Sequence, residues 1–232
     1  MPVYIKKVII NNFRAFKDKE MNLGNNITAL AGRNAVGKST LLGMIVHGSE
    51  LKVSEGRPLI TNQFRSEFSE LFHASKEYDT HDRGDREYEI IRENEDNKKV
   101  DHSKFRITWQ SEERFRFIPE RKVSEDQTSA AKYKHPTLYF GLSRLFPLAE
   151  VSSNQNDFKV NESFIDDEIK KQFNELYNKI IPQSINIEDV GSINSDKTKY
   201  KNIGVNTDKY DVFGNSAGQN NVGKIILALL SF

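Results

Sequence analysis

Residues 32 to 40 read Gly32-Arg33-Asn34-Ala35-Val36-Gly37-Lys38-Ser39-Thr40, the pattern G-x-x-x-x-G-K-[ST]. No other feature limits the possible folds of the chain as much. The pattern describes a P-loop, a phosphate cradle closed by a helix. Gly32 and Gly37 permit backbone angles that a Cβ forbids. The loop N–H groups then point inward as an anion nest. A helix starting near Lys38 adds the positive end of its dipole. Lys38 can reach β- and γ-phosphates, and Ser39 can offer its hydroxyl to Mg²⁺. The flanks fit this reading. The apolar run at 25–30 predicts a buried strand, and Leu41, Leu42, Met44, Ile45 and Val46 predict a helix over 38–47.

The rest of the chain reads as an α/β protein. Residues 3–10 and 12–23 predict two strands. Phe64, Phe68, Leu71 and Phe72 stand at helical spacing and predict an amphipathic helix over 63–76. Residues 79–85 read as a turn. Segments 86–93, 104–110 and 114–121 alternate apolar and polar residues, as half-buried antiparallel strands do. Residues 122–134 are polar and predict a mobile connection. Residues 136–142 predict a more buried strand, and 152–163 a linker. Phe164, Ile165, Ile169, Phe173, Leu176 and Ile180 share one helix face, ended by Pro182. Segments SINIEDV, KYKNIGV and KYDVFG predict short strands. Ala217 to Leu230 predicts a final helix.

Composition narrows the function classes. Without cysteine, a disulfide scaffold, a thiol nucleophile and a cysteine-based metal site are excluded. A net charge of +1 leaves no global pull toward nucleic acid or anionic lipid, so any basic surface is a local patch. The longest apolar runs are too short to cross a bilayer, and Lys6 and Lys7 interrupt the N-terminal apolar stretch as no signal peptide allows. A cytoplasmic protein with no membrane partner is the expectation.

Three motifs in order carry a resemblance. Asn12-Phe13-Arg14-Ala15-Phe16 precedes the P-loop, the P-loop has the form GxNxxGKST, and Asn215-Ser216-Ala217-Gly218-Gln219 opens the last helix. The trio resembles the ATPase heads of the SMC/RecF/OLD group of ABC-type ATPases, in which an LSGGQ-like signature opens a later helix. The signature here is degenerate, with Asn215 and Ala217 replacing Leu and Gly. The resemblance implies a P-loop NTPase of the ABC-head type with ATP and Mg²⁺ as cofactors. The loop from Gly32 through Thr40, Lys38 above all, would hold the phosphates, and Ser39 the metal. Arg14 would approach the base or α-phosphate. Ser216, Gly218 and Gln219 would contact ATP bound to a second copy, giving a homodimer that sandwiches two ATP molecules. Arg14 has a second reading as a solvated strand-end arginine, and Ser216 as a plain helix N-cap.

The sequence departs from the family twice. The family's glutamine after a central strand is absent beyond Thr137–Gly141, where Leu142, Ser143 and Arg144 stand; Gln110 and Gln155 are weaker candidates. The family also has a Walker B strand ending in Asp-Glu after the signature. Residues 220–232 contain no acid, and the FIDDE and INIED segments (164–168, 185–189) are poor substitutes. The expectation is an N-terminal portion of a larger ATPase that hydrolyses ATP barely by itself.

Other readings weigh less. Gly214-Asn215-Ser216-Ala217-Gly218 matches the G-x-S-x-G elbow of α/β-hydrolases, but that triad needs a later histidine and the last is His135. The five histidines show no metal-ligand spacing. Arg114, Arg116, Arg121 and Lys122 suggest a local DNA-facing patch, yet their alternation favours a solvated strand face. No N-K-x-D follows for a GTPase.

The expected fold is an ABC-type head with a mixed central sheet, an antiparallel β lobe and a short helical insertion. The expected domains are a P-loop core over 1–142, a helical and hairpin insertion over 143–213, and a signature helix over 214–232. The span from Ser143 to Asn215 is too short for the arms of chromosome-organising relatives, so the likeness is closer to armless RecF- and OLD-like or defence-associated heads. Two functions stay open. One is an ATP-hydrolysing head serving DNA repair, chromosome maintenance or anti-phage defence. The other is an ATP-gated module controlling a separate effector domain or partner.

Overall fold

Alternation builds the principal sheet. Tyr88, Ile90 and Arg92, then Ser103, Phe105, Ile107 and Trp109, then Phe115 and Phe117 occupy every second position, and all are buried. The computed structural model describes residues 2–61, 63–75, 77–79, 87–111, 114–124, 127–141, 154–162, 165–181, 185–195 and 200–232. These divide into two units, residues 1–51 with 65–137 and residues 52–64 with 138–232. Residues 80–85 of the turn expected at 79–85, the Leu142-Ser143-Arg144 position, Phe164 and Pro182 lie outside the described residues, as do the side chains of Gln110 and Gln155.

The first unit contains, in chain order, β1 (Val3–Phe13), β2 (Phe16–Asn22), α1 (Lys38–His47), β3 (Ser49–Glu50), α2 (Phe68–Leu71), β4 (Glu87–Asn94), β5 (Val100–Ser111), β6 (Arg114–Ser124), β7 (Gln127–Ser129) and β8 (Tyr133–Lys134). Six strands form one sheet in the order β2-β1-β4-β5-β6-β7, antiparallel at every step. The expected mixed sheet is therefore corrected. Among the described residues, parallel pairing is confined to β3 against β8. β1 and β2 also join the strands of the expected antiparallel lobe in a single ladder.

Register decides which residues meet. Ile10 faces Tyr88, Tyr88 faces Phe105 and Phe105 faces the half-buried Pro119, so one inward row crosses four strands. Leu41 and Met44 of α1 pack on this face, with Phe72 beside them. Phe117 is the aromatic centre: its ring lies 5.0–5.4 Å from those of Phe13, His47, Phe68, Phe72 and Tyr88. The opposite face is laced by the ion pairs Lys7–Glu20 and Arg106–Glu120 and by a hydrogen bond between His102 and Glu89. This face decides the reading of the basic run in β6. Arg114, Arg116 and Lys122 alternate outward with Glu120, whereas Arg121 turns to the other side and stacks on Tyr133. Glu120, paired with Arg106, interrupts the outward row, as on a solvated strand face.

Several expected elements differ. Residues 25–30 are not a strand: no described strand offers them a backbone partner, and Ile27 is 87% exposed. The helix expected over 63–76 shrinks to α2, because Phe64 belongs to the second unit, where it packs on Phe232. Residues 136–141 carry no strand pairing. The connection expected over 122–134 instead extends β6 and holds β7 and β8. Asp211 accepts the N–H groups of Phe213 and Gly214, so the expected strand at 209–214 is a turn.

In the second unit, β9 (Lys159–Glu162), β10 (Ile187–Ser195) and β11 (Tyr200–Thr207) form an antiparallel sheet, accompanied by α3 (Asp167–Ile180) and α4 (Ala217–Leu229). Asp166 caps α3 by accepting the Ile169 N–H. Phe173 and Tyr177 of α3 pack with Val190, Val205, Ile226 and Leu227. Asn174 and Asn178 accept the N–H groups of Ile187 and Ile185, which ties the start of β10 to the helix.

His47 has a testable consequence. Burial chiefly, with Lys132 and Arg65 adding, pulls its pKa down to about 3. The unfolded chain takes up this proton near pH 6.5 and the folded chain does not, so this stability is full above that pH and is lost as pH falls toward 3. The slope approaches about 1.4 kcal/mol per pH unit. His47→Phe should flatten the fall in urea midpoint between pH 7 and pH 4. Parallel curves for the two proteins would contradict the assignment.

Candidate nucleotide-binding site

The P-loop is built by one glycine and its neighbours. Gly37 caps α1 in the left-handed region, φ 95°. A Cβ there would also lie 2.8 Å from the Phe16 ring, so only glycine fits on both counts. Ala35 is left-handed too, φ 63°, and curls the loop back toward the helix. Phe16 comes from the NFRAF segment. That segment turns tightly, with Phe13 paired to Phe16, and thus buttresses the P-loop.

Lys38 closes the loop. Its Nζ donates to the carbonyls of Gly32 at 2.8 Å and Arg33 at 2.6 Å. An ammonium has three donors, so a third remains for an anion. Residues 31–36 and Ser39 are exposed, which leaves the loop open to solvent with the N-terminus of α1 behind it. That helix end has no acidic residue in its first turn and no side-chain cap. Its N–H dipoles therefore meet no competing negative charge from the helix itself. An exposed loop, a lysine across it and a hydroxyl at Ser39 can hold phosphate oxygens and one metal ligand position.

Arg14 sits at the hairpin turn with φ 55°. Its Nη2 donates to the His73 carbonyl at 2.7 Å and lies 3.7 Å from Asp79, and its guanidinium stacks on Phe13 and Phe72. The structure thus gives this arginine protein partners at the strand end. The loop and Arg14 are both in the first unit.

Ser216, Gly218 and Gln219 are in the second unit. Ser216 is the N-cap of α4, and with Gln219 it forms a reciprocal capping box: the Ser216 Oγ accepts the Gln219 N–H at 3.3 Å and the Gln219 Oε1 accepts the Ser216 N–H at 2.9 Å. The N-cap reading of Ser216 therefore holds. As an acceptor in that box, the hydroxyl keeps its own proton to donate. A Cβ at Gly218 would meet only Ser216 Oγ, at 3.9 Å, so this helix start is sterically open. Asn215, in the degenerate leading position, is buried and donates to the Val205 carbonyl, which anchors the turn to β11.

A family model described as "AAA domain" matches residues 7–215. The chain belongs to the AAA domain family. The match to this AAA domain starts in β1, includes the whole P-loop and ends at Asn215. It makes the fold that of a P-loop NTPase, and its family one of ATPases that use nucleotide, usually with Mg²⁺. Structural maintenance of chromosomes protein 6 of Saccharomyces cerevisiae is 42% identical over 52 residues, 22% of this chain and 5% of that protein. The AAA domain thus aligns with a small fraction of that relative's length. No solved structure matches the chain. Among the described residues, no helix is long and apolar enough to cross a membrane, and no cluster of His, Asp and Glu is arranged to hold a metal ion.

Sequence reasoning missed one residue of interest. Arg92 is almost fully buried on the inner face of β4. The signal was present, since Tyr88, Ile90 and Arg92 follow one alternation.

Proposed function

We propose that this AAA domain is the ATP-binding head of an SMC-like ATPase that dimerises around ATP. On this reading it couples ATP binding and hydrolysis to DNA metabolism or anti-phage defence. The observation that carries the reading is the open P-loop, with left-handed Gly37 and Lys38 drawn across its mouth. ATP would displace the Gly32 and Arg33 carbonyls from Lys38, which then neutralises β- and γ-phosphate charge. Ser39 would complete the Mg²⁺ shell. The yeast relative's name and the GxNxxGKST form favour an SMC-like ATPase, and the short span from Ser143 to Asn215 favours an armless RecF- or OLD-like head within that group.

The second half of the proposal concerns α4. Ser216, Gly218 and Gln219 present an uncrowded helix N-terminus, and a γ-phosphate on a second copy suits it. Arg14 keeps a role near the nucleotide only if ligand draws it from His73 and Asp79.

Ser216→Arg should block ATP-induced dimers, read by light scattering, while leaving ATP affinity within about twofold. Losing the cap costs about 1 kcal/mol, so retained ATP binding serves as the folding control. Dimers that persist in the variant would remove the sandwich from the proposal. Salt-dependent binding of duplex DNA would favour the DNA-metabolic role, and ATP-dependent dimers without DNA affinity would favour the effector-gating one.

A further inference from the structure

At the end of α1 remote from the P-loop, a cavity of about 170 Å³ opens between Val3, the β4–β5 turn and Tyr133. Arg92, Lys99 and Arg121 line it with a single carboxylate, Asp101. That balance leaves an excess of positive charge in a confined space.

The hydrogen bonding of Arg92 is incomplete. Its Nη1 donates to Ser103 at 2.9 Å, and its Nη2 to the Gly48 carbonyl at 3.0 Å and to Ser49 at 2.9 Å. Its Nε is buried with no partner. Asp101 does not satisfy it. That carboxylate accepts the Ser103 hydroxyl at 2.7 Å and stands 3.9 Å from Arg92 Nη1 and 3.8 Å from Arg121 Nε, beyond hydrogen-bond reach. Both guanidiniums lie over the Tyr133 ring, so two like charges share one aromatic side chain. Burial pulls the Arg92 pKa down to about 10, the mark of a cation removed from water without full compensation. Asn94 and Asn97 add donors at the rim. Their carbonyl oxygens accept backbone N–H groups, which turns their amide N–H groups elsewhere.

We propose that this cavity binds a phosphate-sized oxyanion, at a site separate from the P-loop. An oxyanion there would bridge the accessible Arg121 and Lys99 side chains by charge-assisted bonds and offset the uncompensated charge of Arg92 behind them. Size sets the ligand class. The cavity is below the roughly 300–1,000 Å³ of pockets that enclose larger ligands, so a nucleotide does not fit. It is several times the ~30 Å³ share of one water, so a tetrahedral oxyanion with part of its hydration does.

The test uses ¹⁵N-labelled Lys38→Ala protein, in which the P-loop no longer competes for phosphate. Inorganic phosphate should shift the Arg92 and Arg121 Nε–H resonances saturably, while chloride at equal ionic strength leaves them in place. On that background Arg121→Gln should weaken the apparent phosphate affinity at least about tenfold, by loss of a charge-assisted pair. Lys99→Gln, in the exposed turn, should weaken it less and serves if the first variant does not fold. Equal responses to phosphate and chloride would mean a hydrated cavity only and overturn the proposal. Unchanged phosphate affinity in the folded variants would overturn it as well.

Discussion

Lys38→Ala should lower ATP affinity by at least about a hundredfold, the scale of losing a charge-assisted contact to two phosphates. Calorimetry on the 232-residue chain reads this directly. Stability should change little, because Lys38 spans only an exposed loop, where its bonds are to the Gly32 and Arg33 carbonyls. The two readouts separate binding from folding. Unchanged ATP affinity in a folded variant would sink the P-loop assignment and the head proposal with it. It would leave the oxyanion cavity untouched, since that site is probed in this same variant.

Phe117→Ala should cost about 3–5 kcal/mol, the range for a buried aromatic removed from a packed core. Its ring meets five others, from β1, α1, α2 with the residue after it, and β4, and is 4% exposed. The surrounding groups are rings on separate elements, so the void cannot close by one side chain turning over. Such a loss is a large share of the ~5–15 kcal/mol that holds a typical domain folded. Urea denaturation should show a markedly lower midpoint. A fall below about 1 kcal/mol would mean the core is looser than these ring contacts imply.

What the sequence made legible depended on how local the cause was. The P-loop needed only Gly37, Lys38 and Ser39 at fixed spacing, so the loop and α1 were both readable. The alternation in β4, β5 and β6 was readable because burial on one face is written into every second residue. Residues 25–30 show the limit. An apolar run says that a segment prefers a partner, not that one is present, and Ile27 is exposed here. Phe64 shows a second limit. It has the helical spacing of Phe68 and Phe72, yet the chain passes from one unit to the other at that point. Arg92 shows a third limit: the alternation of Tyr88, Ile90 and Arg92 marks its burial, but its partners Gly48, Ser49 and Ser103 stand on other elements and could not be read.

The two ends of α1 are held by the same sheet. Phe16 from β2 presses on Gly37 at the start, and Arg92 from β4 grips the Gly48 carbonyl at the finish. A Cβ at Gly48 would collide with Ile90 and stand 3.0 Å from Arg92, a tighter approach than the one at Gly37. A ten-residue helix pinned this way is a strut about 15 Å long. Its positions are tied in pairs across space. A side chain at residue 48 is admissible only with smaller groups at 90 and 92, whereas the positive φ at 37 demands glycine whatever stands at 16. Variation among homologues at 48 should therefore come with compensation at 90 and 92, glycine should stay at 37, and a lone change at either end should loosen the strut.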